Sequence, residues 1–596
     1  MADEHVEVVV IGSGAGGAPL SSTLVGGGRQ VLVLEKGPLL RTQDQSPTGL
    51  SDFKRDEMFA SGPEKRITVP GMANQGQGYF SSHVEPDLND EPHVYDGDDG
   101  RQYATIEGYT AQVVGGGTQL YGGVSLRFTP DDFRLASFND GRTDLRNDPG
   151  GEVRSEARDW PISYEDLEPY YCRAEELIGI NGTRSNQEKQ ASVDHYQAPL
   201  EPNAISQYAA AGMDALGMRR YRTPLAVITE DHPPSGRKVP ADPDTIKTAF
   251  INRYGDPLGL KSNTWVALLD PLLDQPNFEL RPNCTVTHLS ADGAKVTRVH
   301  YRDPAGAGRT VTADIVVVAC SAIESVRLLQ LSGLEDAAFN DRLNSPHGLL
   351  GRYFLTHCFG GAQCIVPDRA DKSKTLDSDW ATDHCARAQW VRERGLWAGG
   401  VIYNNTSDGA LPISLARTWQ AMDMDNTWKG YLQDTSLVGD GFERYLDDNF
   451  GRRLSVTFMA NQVPQRDNRI ELHPTVTDKW GRRVAYIRKD WHPHDVALMD
   501  EFAEQCRQIL LSGGDVRDVS WGSVKNSVVR IANHVLGGAR FGTDQTDSVL
   551  DPDCRVWGFD NLYVTDGSFM PTSGGANPTL TIQANSFRVG DLLLSR

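Results

Sequence analysis

The first 35 residues constrain the fold more than any other stretch of the chain. Residues 6–11 (V-E-V-V-V-I) form a Val-rich apolar run, as expected of a strand buried on both faces of a parallel sheet. Gly12, Gly14 and Gly17 follow as G-x-G-x-x-G, then a helix is predicted over 18–25 and a second strand over 30–34, ending at Glu35. In such a βαβ opening the first glycine permits the tight turn. The second lets a pyrophosphate approach the backbone, and the third lets the helix pack on the strand. The triplet alone is weak, but its place between a strand and a helix strengthens it. Glu35, some 20 residues on, is placed to hold a ribose hydroxyl pair, which favours an unphosphorylated adenosine ribose, as in FAD or NAD, over NADP.

At 596 residues the chain is too long for one core and is expected to form at least two domains. Its net charge of -21 argues against nucleic acid as a partner, because phosphate binding needs a basic face. That acidity serves solubility, or alternatively attracts a cationic substrate such as an amino sugar. No run of roughly 18 apolar residues predicts a membrane span. The start, Met-Ala-Asp-Glu-His, leads straight into a predicted core strand, so no signal peptide is expected. The eight cysteines (Cys172, Cys284, Cys320, Cys358, Cys364, Cys385, Cys506 and Cys554) lack C-x-x-C or zinc-like spacing. A reducing cytoplasm and no metal are expected.

Residues 41–103 are rich in Pro, Gly, Asp and Ser and read as a long excursion of the kind that covers a cofactor. Residues 113–123 (V-V-G-G-G-T-Q-L-Y-G-G) make a second glycine-rich turn. In 160–177, Ser163 is a predicted N-cap three residues before Asp166, with Leu167, Tyr170, Tyr171 and Ala174 at helical spacing. Strands are predicted at 278–281, 285–289, 295–301, 309–313 and 315–319, and a helix at 322–332. From 348 to 500 the pattern alternates, as in R-L-S-V-T-F-M-A (453–460) and N-R-I-E-L (468–472), which predicts an inserted antiparallel sheet.

The chain ends with N-H-V-L-G-G-A-R-F-G (533–542), D-N-L-Y-V-T-D-G-S (560–568) and G-G-A-N-P-T-L-T-I-Q-A (574–584). A histidine sits beside a glycine pair, a short strand ends at Asp566-Gly567, and Asn577-Pro578 opens a helix. That helix start aims unpaired N–H groups and a positive dipole end at whatever lies in front of it. An isolated histidine is more often a satisfied core residue, and Asn577 also suits the N-cap before a proline at the first helical position. Trp380, Trp390, Trp397, Trp419 and Trp428 read as packing rather than as a sugar platform. The acidic stretch 423–448 reads as a solvated face.

Taken together, I-G-S-G-A-G-G, V-G-G-G-T, W-P-I-S-Y-E-D-L-E-P-Y-Y, A-D-I-V-V-V-A-C-S-A-I-E-S and the C-terminal block lie in an order that resembles the glucose–methanol–choline (GMC) oxidoreductases, FAD-dependent alcohol oxidases and dehydrogenases. Residues 122–128 (G-G-V-S-L-R-F) look closer to the gluconate dehydrogenase and pyranose oxidase-like branch. The resemblance implies an α/β fold: a Rossmann-like FAD-binding domain with an inserted substrate domain on an antiparallel sheet. The expected division is 1–155, 250–335 and 520–596 for FAD, 156–249 for a substrate or cap region, and 336–519 for substrate binding.

The same resemblance implies His534 as the invariant histidine beside the flavin and Asn577 as its active-site partner. It sets Gly115, Gly116, Gly117 and Thr118 along the isoalloxazine, Asp566 and Gly567 at the pyrophosphate and ribityl region, Val286 at adenine, and Thr579 near the pyrimidine carbonyl. Leu120 stands where some members carry a flavin-linking histidine, so non-covalent FAD is expected. Tyr121 replaces an Asn of other members. The implied reaction oxidises a C–OH of a sugar, sugar derivative or polyol by hydride transfer to flavin N5, with His534 as base and oxygen or another acceptor taking the electrons. The competing expectations are a cyanohydrin-lyase-like protein with structural FAD and an NAD-dependent Rossmann dehydrogenase.

Overall fold

The computed structural model describes residues 4–40, 65–79, 87–105, 108, 111–146, 156–242, 256, 258–343, 348–371, 376–406, 440, 444, 451–531 and 534–596. Much of the expected excursion, and with it Trp419, Trp428 and nearly all of the acidic stretch 423–448, lies outside the described residues.

The core of the cofactor half is a seven-stranded sheet. Its order is Phe278–Arg281, Val31–Leu34, Glu4–Ile11, Gly308–Val318, Lys295–Arg302 and Thr285–Asp292, with Leu562–Val564 paired to the Gly308–Val318 strand. Val8, Val9 and Val10 are fully buried, as a strand covered on both faces requires. The Glu4–Ile11 strand pairs in parallel with Val31–Leu34 on one side and Gly308–Val318 on the other. Two strands expected at 309–313 and 315–319 are one. The exposed Asp314 does not break it, because the first strand pairs along it from Glu4↔Val311 to Ile11↔Val318.

Both ends of the chain meet on this sheet. The Thr579–Leu594 helix packs against Ala18–Gly26, and Ser586 Oγ accepts from Leu20 N (3.1 Å) while donating to Gly16 O (2.7 Å). Thr565 Oγ1 donates to the same carbonyl at 2.7 Å. The Tyr164–Ile178 helix begins with a reciprocal capping box between Ser163 and Asp166 and buries Leu167, Tyr171 and Ala174.

The second large sheet is antiparallel and six-stranded, ordered Arg517–Ser523, Cys358–Ile365, Arg453–Ala460, Gly400–Asn405, Trp380–Thr382 and Arg220–Arg222. One face carries Val456, Phe458 and Cys364 into a core with Leu498, Phe502 and Ile509 of the Pro493–Ser512 helix. The Arg469–Thr477 strand, expected in this same sheet, instead joins a four-stranded sheet with Arg483–Arg488, His93–Asp96 and Gln102–Thr105. Alternation marks a half-buried strand but not its partner, and here segments remote in sequence supply the pairing. No helix among the described residues is long and apolar enough to cross a membrane.

Candidate active site

A cavity of about 710 Å³ lies between the two large sheets. It is walled on one side by the two glycine turns and on the other by alternate residues of the antiparallel sheet. These are Phe359, Gly361 and Gln363, then Tyr403 and Asn405, then Ser455, Thr457 and Met459, and finally Ser520 and Gly522. The two-residue repeat puts all of them on the face opposite the buried core.

Gly12 shows why the first turn is glycine-rich. It has φ +104°, and a Cβ there would lie 2.3 Å from Ala319 O. Gly17 lies off the cavity; a Cβ on it would sit 2.0 Å from Gly12 O, so it secures helix-to-strand packing. Gly14 faces Gly116 across the cavity wall, and its absent Cβ would sit 3.7 Å from Gly116 Cα. The backbone is therefore open to a ligand where the two turns meet. Gly16, unremarked in the sequence, packs against Thr565 and Asp566 so closely that a Cβ would fall 2.8 Å from the Asp566 Cα.

Ser13 binds these parts together. Its Oγ donates to Glu35 Oε2 (2.6 Å) and accepts from Gly115 N (2.9 Å), so one hydroxyl couples the first turn, the acid and the second turn. Glu35 also accepts from Ser13 N (3.0 Å) and Gly37 N (2.9 Å). Burial pushes its carboxyl above the usual range, against those hydrogen bonds. Glu35 lines the cavity, where the remaining lone pair of a carboxylate can receive a hydroxyl. Gly115 itself lies off the cavity, whereas Gly116, Gly117 and Thr118 line it. Thr118 Oγ1 donates to Gly115 O (2.6 Å) and accepts from Thr264 N (2.9 Å), which ties down the short 3₁₀ turn Gly116–Gln119.

Asp566 and Gly567 line the cavity at the end of the Leu562–Val564 strand. The Asp566 carboxylate accepts from Ser568 N (2.9 Å) and from Ser325 Oγ, so it caps its own turn and anchors the Ala322–Glu335 helix. Val286, with Cys284 and Arg482, lines the end of the cavity formed by the Thr285–Asp292 strand.

His534, Asn577 and Thr579 line the same cavity. The final helix begins at Thr579 with Pro578 as its N-cap residue, and no side chain caps it. Asn577 is therefore not the cap. It is 8% exposed, and its Oδ1 is buried without a protein hydrogen-bond partner. An amide oxygen left unpaired in a cavity marks a group reserved for a ligand. His534 is pushed down to about 4 by burial, so its imidazole is neutral at physiological pH.

One functional candidate escaped the sequence. His357 is fully buried, and its Nδ1 lies 3.2 Å from His534 Nδ1, with the rings edge to face at 5.0 Å. Only proximity reveals it, since 177 positions separate the two histidines. Asp377, which also lines the cavity, was equally silent. Gly122 is glycine because a Cβ would fall 1.9 Å from the Asp377 carboxylate. Tyr121 lines the wall and donates its hydroxyl to Ser262 O at 2.5 Å. Trp380, Trp390 and Trp397 are absent from the lining, and Trp390 and Trp397 are buried in the second core. No group of His, Cys, Asp or Glu among the described residues could hold a metal ion.

A parallel sheet with glycine turns at its strand ends, facing an antiparallel sheet across an elongated cavity, defines a dinucleotide-binding oxidoreductase architecture. Two GMC oxidoreductase family models match, one at residues 235–359 and one at 464–586, and the chain belongs to the GMC oxidoreductase family. It is 28% identical to a 6'''-hydroxyparomomycin C oxidase of Streptomyces lividus, over 100% of this chain and 92% of that protein. It is 26% identical to a 2-methyl-1,2-propanediol dehydrogenase of Mycolicibacterium austroafricanum, over 100% of this chain and 96% of that protein. Among solved structures, a formate oxidase of Aspergillus oryzae RIB40 superposes with a TM-score of 0.60 at 13% identity, covering 100% of this chain and 99% of that one, which shows a shared fold. The family implies FAD, and the residues present fit it. Val286, Gly14, Gly116, His534 and Asn577 all line this one cavity, and the Asn577 amide oxygen there has no protein partner.

Proposed function

We propose that this oxidoreductase converts a C–OH of a sugar, sugar derivative or polyol into a carbonyl, with His534 as general base and Asn577 as its partner. The observation that carries the reading is the convergence of His534 and Asn577 on the cavity that both glycine turns line. Bound FAD supplies the two-electron acceptor for the hydride that leaves the carbinol carbon.

The protein's own contribution is positioning and proton management. A neutral His534 can accept the hydroxyl proton as the C–H bond breaks, because burial keeps the ring unprotonated. The Asn577 amide orients the same hydroxyl or its neighbour. The first N–H groups of the Thr579–Leu594 helix and its dipole favour negative charge at this end of the cavity. FAD is held by Gly12, Gly14, Glu35, Gly116, Gly117, Thr118, Val286, Asp566 and Gly567. Attachment is non-covalent, since Leu120, which lines the cavity, offers only hydrocarbon where a linking histidine would stand. The similarity to a 6'''-hydroxyparomomycin C oxidase, together with the net charge of -21, favours an amino sugar among the candidates. The free cysteines suit a reducing compartment such as the cytoplasm.

The test is to add a panel of sugars, amino sugars and diols to the purified yellow protein under anaerobic conditions and watch the flavin absorbance. Bleaching by a C–OH donor, followed by recovery with oxygen or with a quinone, supports the reading and tells oxidase from dehydrogenase. A flavin that no donor reduces refutes it and returns the lyase-like alternative. A colourless, flavin-free protein returns the NAD-dependent one.

A further inference from the structure

The antiparallel wall of the cavity has an order that starts from the reacting pair. His357 directly precedes the Cys358–Ile365 strand, and its ring meets His534 at 3.2 Å. The Gly400–Asn405 strand sets out from the same end, because Val401 N donates to Gly575 O (2.9 Å), two residues before Asn577. Register divides the wall into three rungs that lie successively further from this end. Phe359 pairs with Met459, so the nearest rung is apolar. Gly361 lies between Thr457 and Gly522, with Tyr403 beyond Thr457. Gln363 lies between Ser455 and Ser520, with Asn405 beyond Ser455. At strand rise, the four residues from Phe359 to Gln363 put the last rung roughly 14 Å from the first.

The middle rung is nearly bare. Thr457 Oγ1 is spent on Tyr403 O (3.4 Å), and two glycines stand side by side. Gly361 is glycine because a Cβ would meet Val456 O at 2.2 Å. Gly522 has no such reason: its φ is not left-handed, and a Cβ would meet nothing within 4 Å among the described residues. A strand glycine that the backbone does not demand, on a cavity wall, fits the close passage of a ligand. The outer rung is polar and uncharged. Gln363 Oε1 accepts from Arg453 Nη1 (3.0 Å), which leaves its Nε2 for other acceptors. The hydroxyls of Ser455 and Ser520 have no hydrogen-bond partner among the described residues. Ser520 and Gly522 are exposed, so this edge of the wall meets solvent.

We propose that the outer rung is a second subsite for the distal hydroxyls of an extended sugar, so that the enzyme oxidises the terminal ring of a chain of linked rings. This rests on the reading of His534 and Asn577 as the reacting pair. A span of roughly 14 Å is more than a single pyranose ring covers. Hydroxyl and carboxamide groups both donate to and accept from sugar hydroxyls. Gly361 and Gly522 leave room for the chain between the two ends.

The test measures anaerobic flavin reduction in the FAD-loaded protein by maltotriose against methyl glucoside, tri-glucosamine against methyl glucosaminide, and 1,2-propanediol. In a series that is oxidised, kcat/KM should be about tenfold higher for the trimer, the worth of one or two hydrogen bonds. Gly522→Phe fills the bare rung and should abolish that advantage, leaving the single ring within about twofold, while Gly522→Ala should change neither donor by more than about that factor. The double variant Ser455→Ala, Ser520→Ala tests the same subsite without adding bulk; it should raise KM for the trimer about tenfold and spare the single ring. Equal kcat/KM for trimer and single ring in the native protein overturns the proposal. So does a trimer advantage that survives both the Phe and the double serine variants, or a loss in both that the single ring shares. A flavin bleached by the diol alone overturns the extended substrate and leaves alcohol oxidation standing, whereas a flavin that no donor bleaches removes the reading of the reacting pair, and this subsite with it.

Discussion

Burial of His534 has a consequence for pH that an ordinary catalytic histidine does not share. With an unperturbed pKa near 6.5, about 90% of a histidine is protonated at pH 5.5, so a base of that kind loses roughly tenfold in kcat/KM between pH 7.5 and 5.5. Burial brings His534 down to about 4. At pH 5.5 such a group is only about 3% protonated, so kcat/KM should be nearly flat over the same interval and fall with a midpoint near 4. The sign is that of a base: activity is lost as pH drops through the folded-state value. The same depression makes stability fall as pH is lowered from about 6.5 towards 4, because the unfolded chain binds the proton and the folded one does not. The assay is the anaerobic flavin-reduction rate with a fixed donor from pH 4 to 8. Behind His357, the buried Asp495 is driven up and Lys489 down by burial, and Asp495 meets the Cys358 thiol. Asp495→Asn is therefore run in parallel, to remove any inflection that belongs to that pair. A midpoint between 6 and 7 that persists in the Asn variant would refute the claim that His534 acts as a buried neutral base.

Other expectations follow from single positions. Gly12→Ala should prevent proper folding, because its Cβ meets Ala319 O at 2.3 Å and φ is +104°; soluble yield and the circular dichroism spectrum check this. Gly14→Ala makes only ordinary contact at 3.7 Å from Gly116 Cα, so it should fold normally yet bind FAD at least tenfold more weakly, as flavin retention on dilution would show. Acid precipitation should leave all of the flavin in the supernatant; yellow precipitated protein would contradict non-covalent attachment. Arg127 is fully buried, with Nε and Nη2 on the Glu175 carboxylate at 2.8 and 2.7 Å and Nη1 on Glu168 at 3.2 Å. Arg127→Ala strands that charge and should cost about 3–5 kcal/mol in urea unfolding, less whatever Arg184, also on Glu175, recovers.

The strongest sequence signals were local ones. Gly12 and Gly17 must be glycine because neighbouring backbone occupies the space of a side chain, and that demand recurs wherever a strand turns tightly into a helix. Ser163 and Asp166 cap a helix through atoms three residues apart. The alternation in 453–460 declared a strand for the same reason: side-chain direction has a period of two whatever lies opposite. Arg127 sat in the G-G-V-S-L-R-F motif that pointed to a branch of the family, yet its ion pairs with a helix some forty residues on were invisible there.

What the chain's order alone determined was therefore the set of elements and the chemistry of the two ends. Tertiary structure decided which elements became neighbours. It sent the Arg469–Thr477 strand to a separate sheet, let one strand run through the exposed Asp314, freed Asn577 from capping, and brought His357 to within 3.2 Å of His534. The physical reason is range. Capping, turn geometry and side-chain periodicity act over a few residues and leave a trace in composition, whereas a hydrogen bond across 177 positions is set by how two sheets close over a cavity.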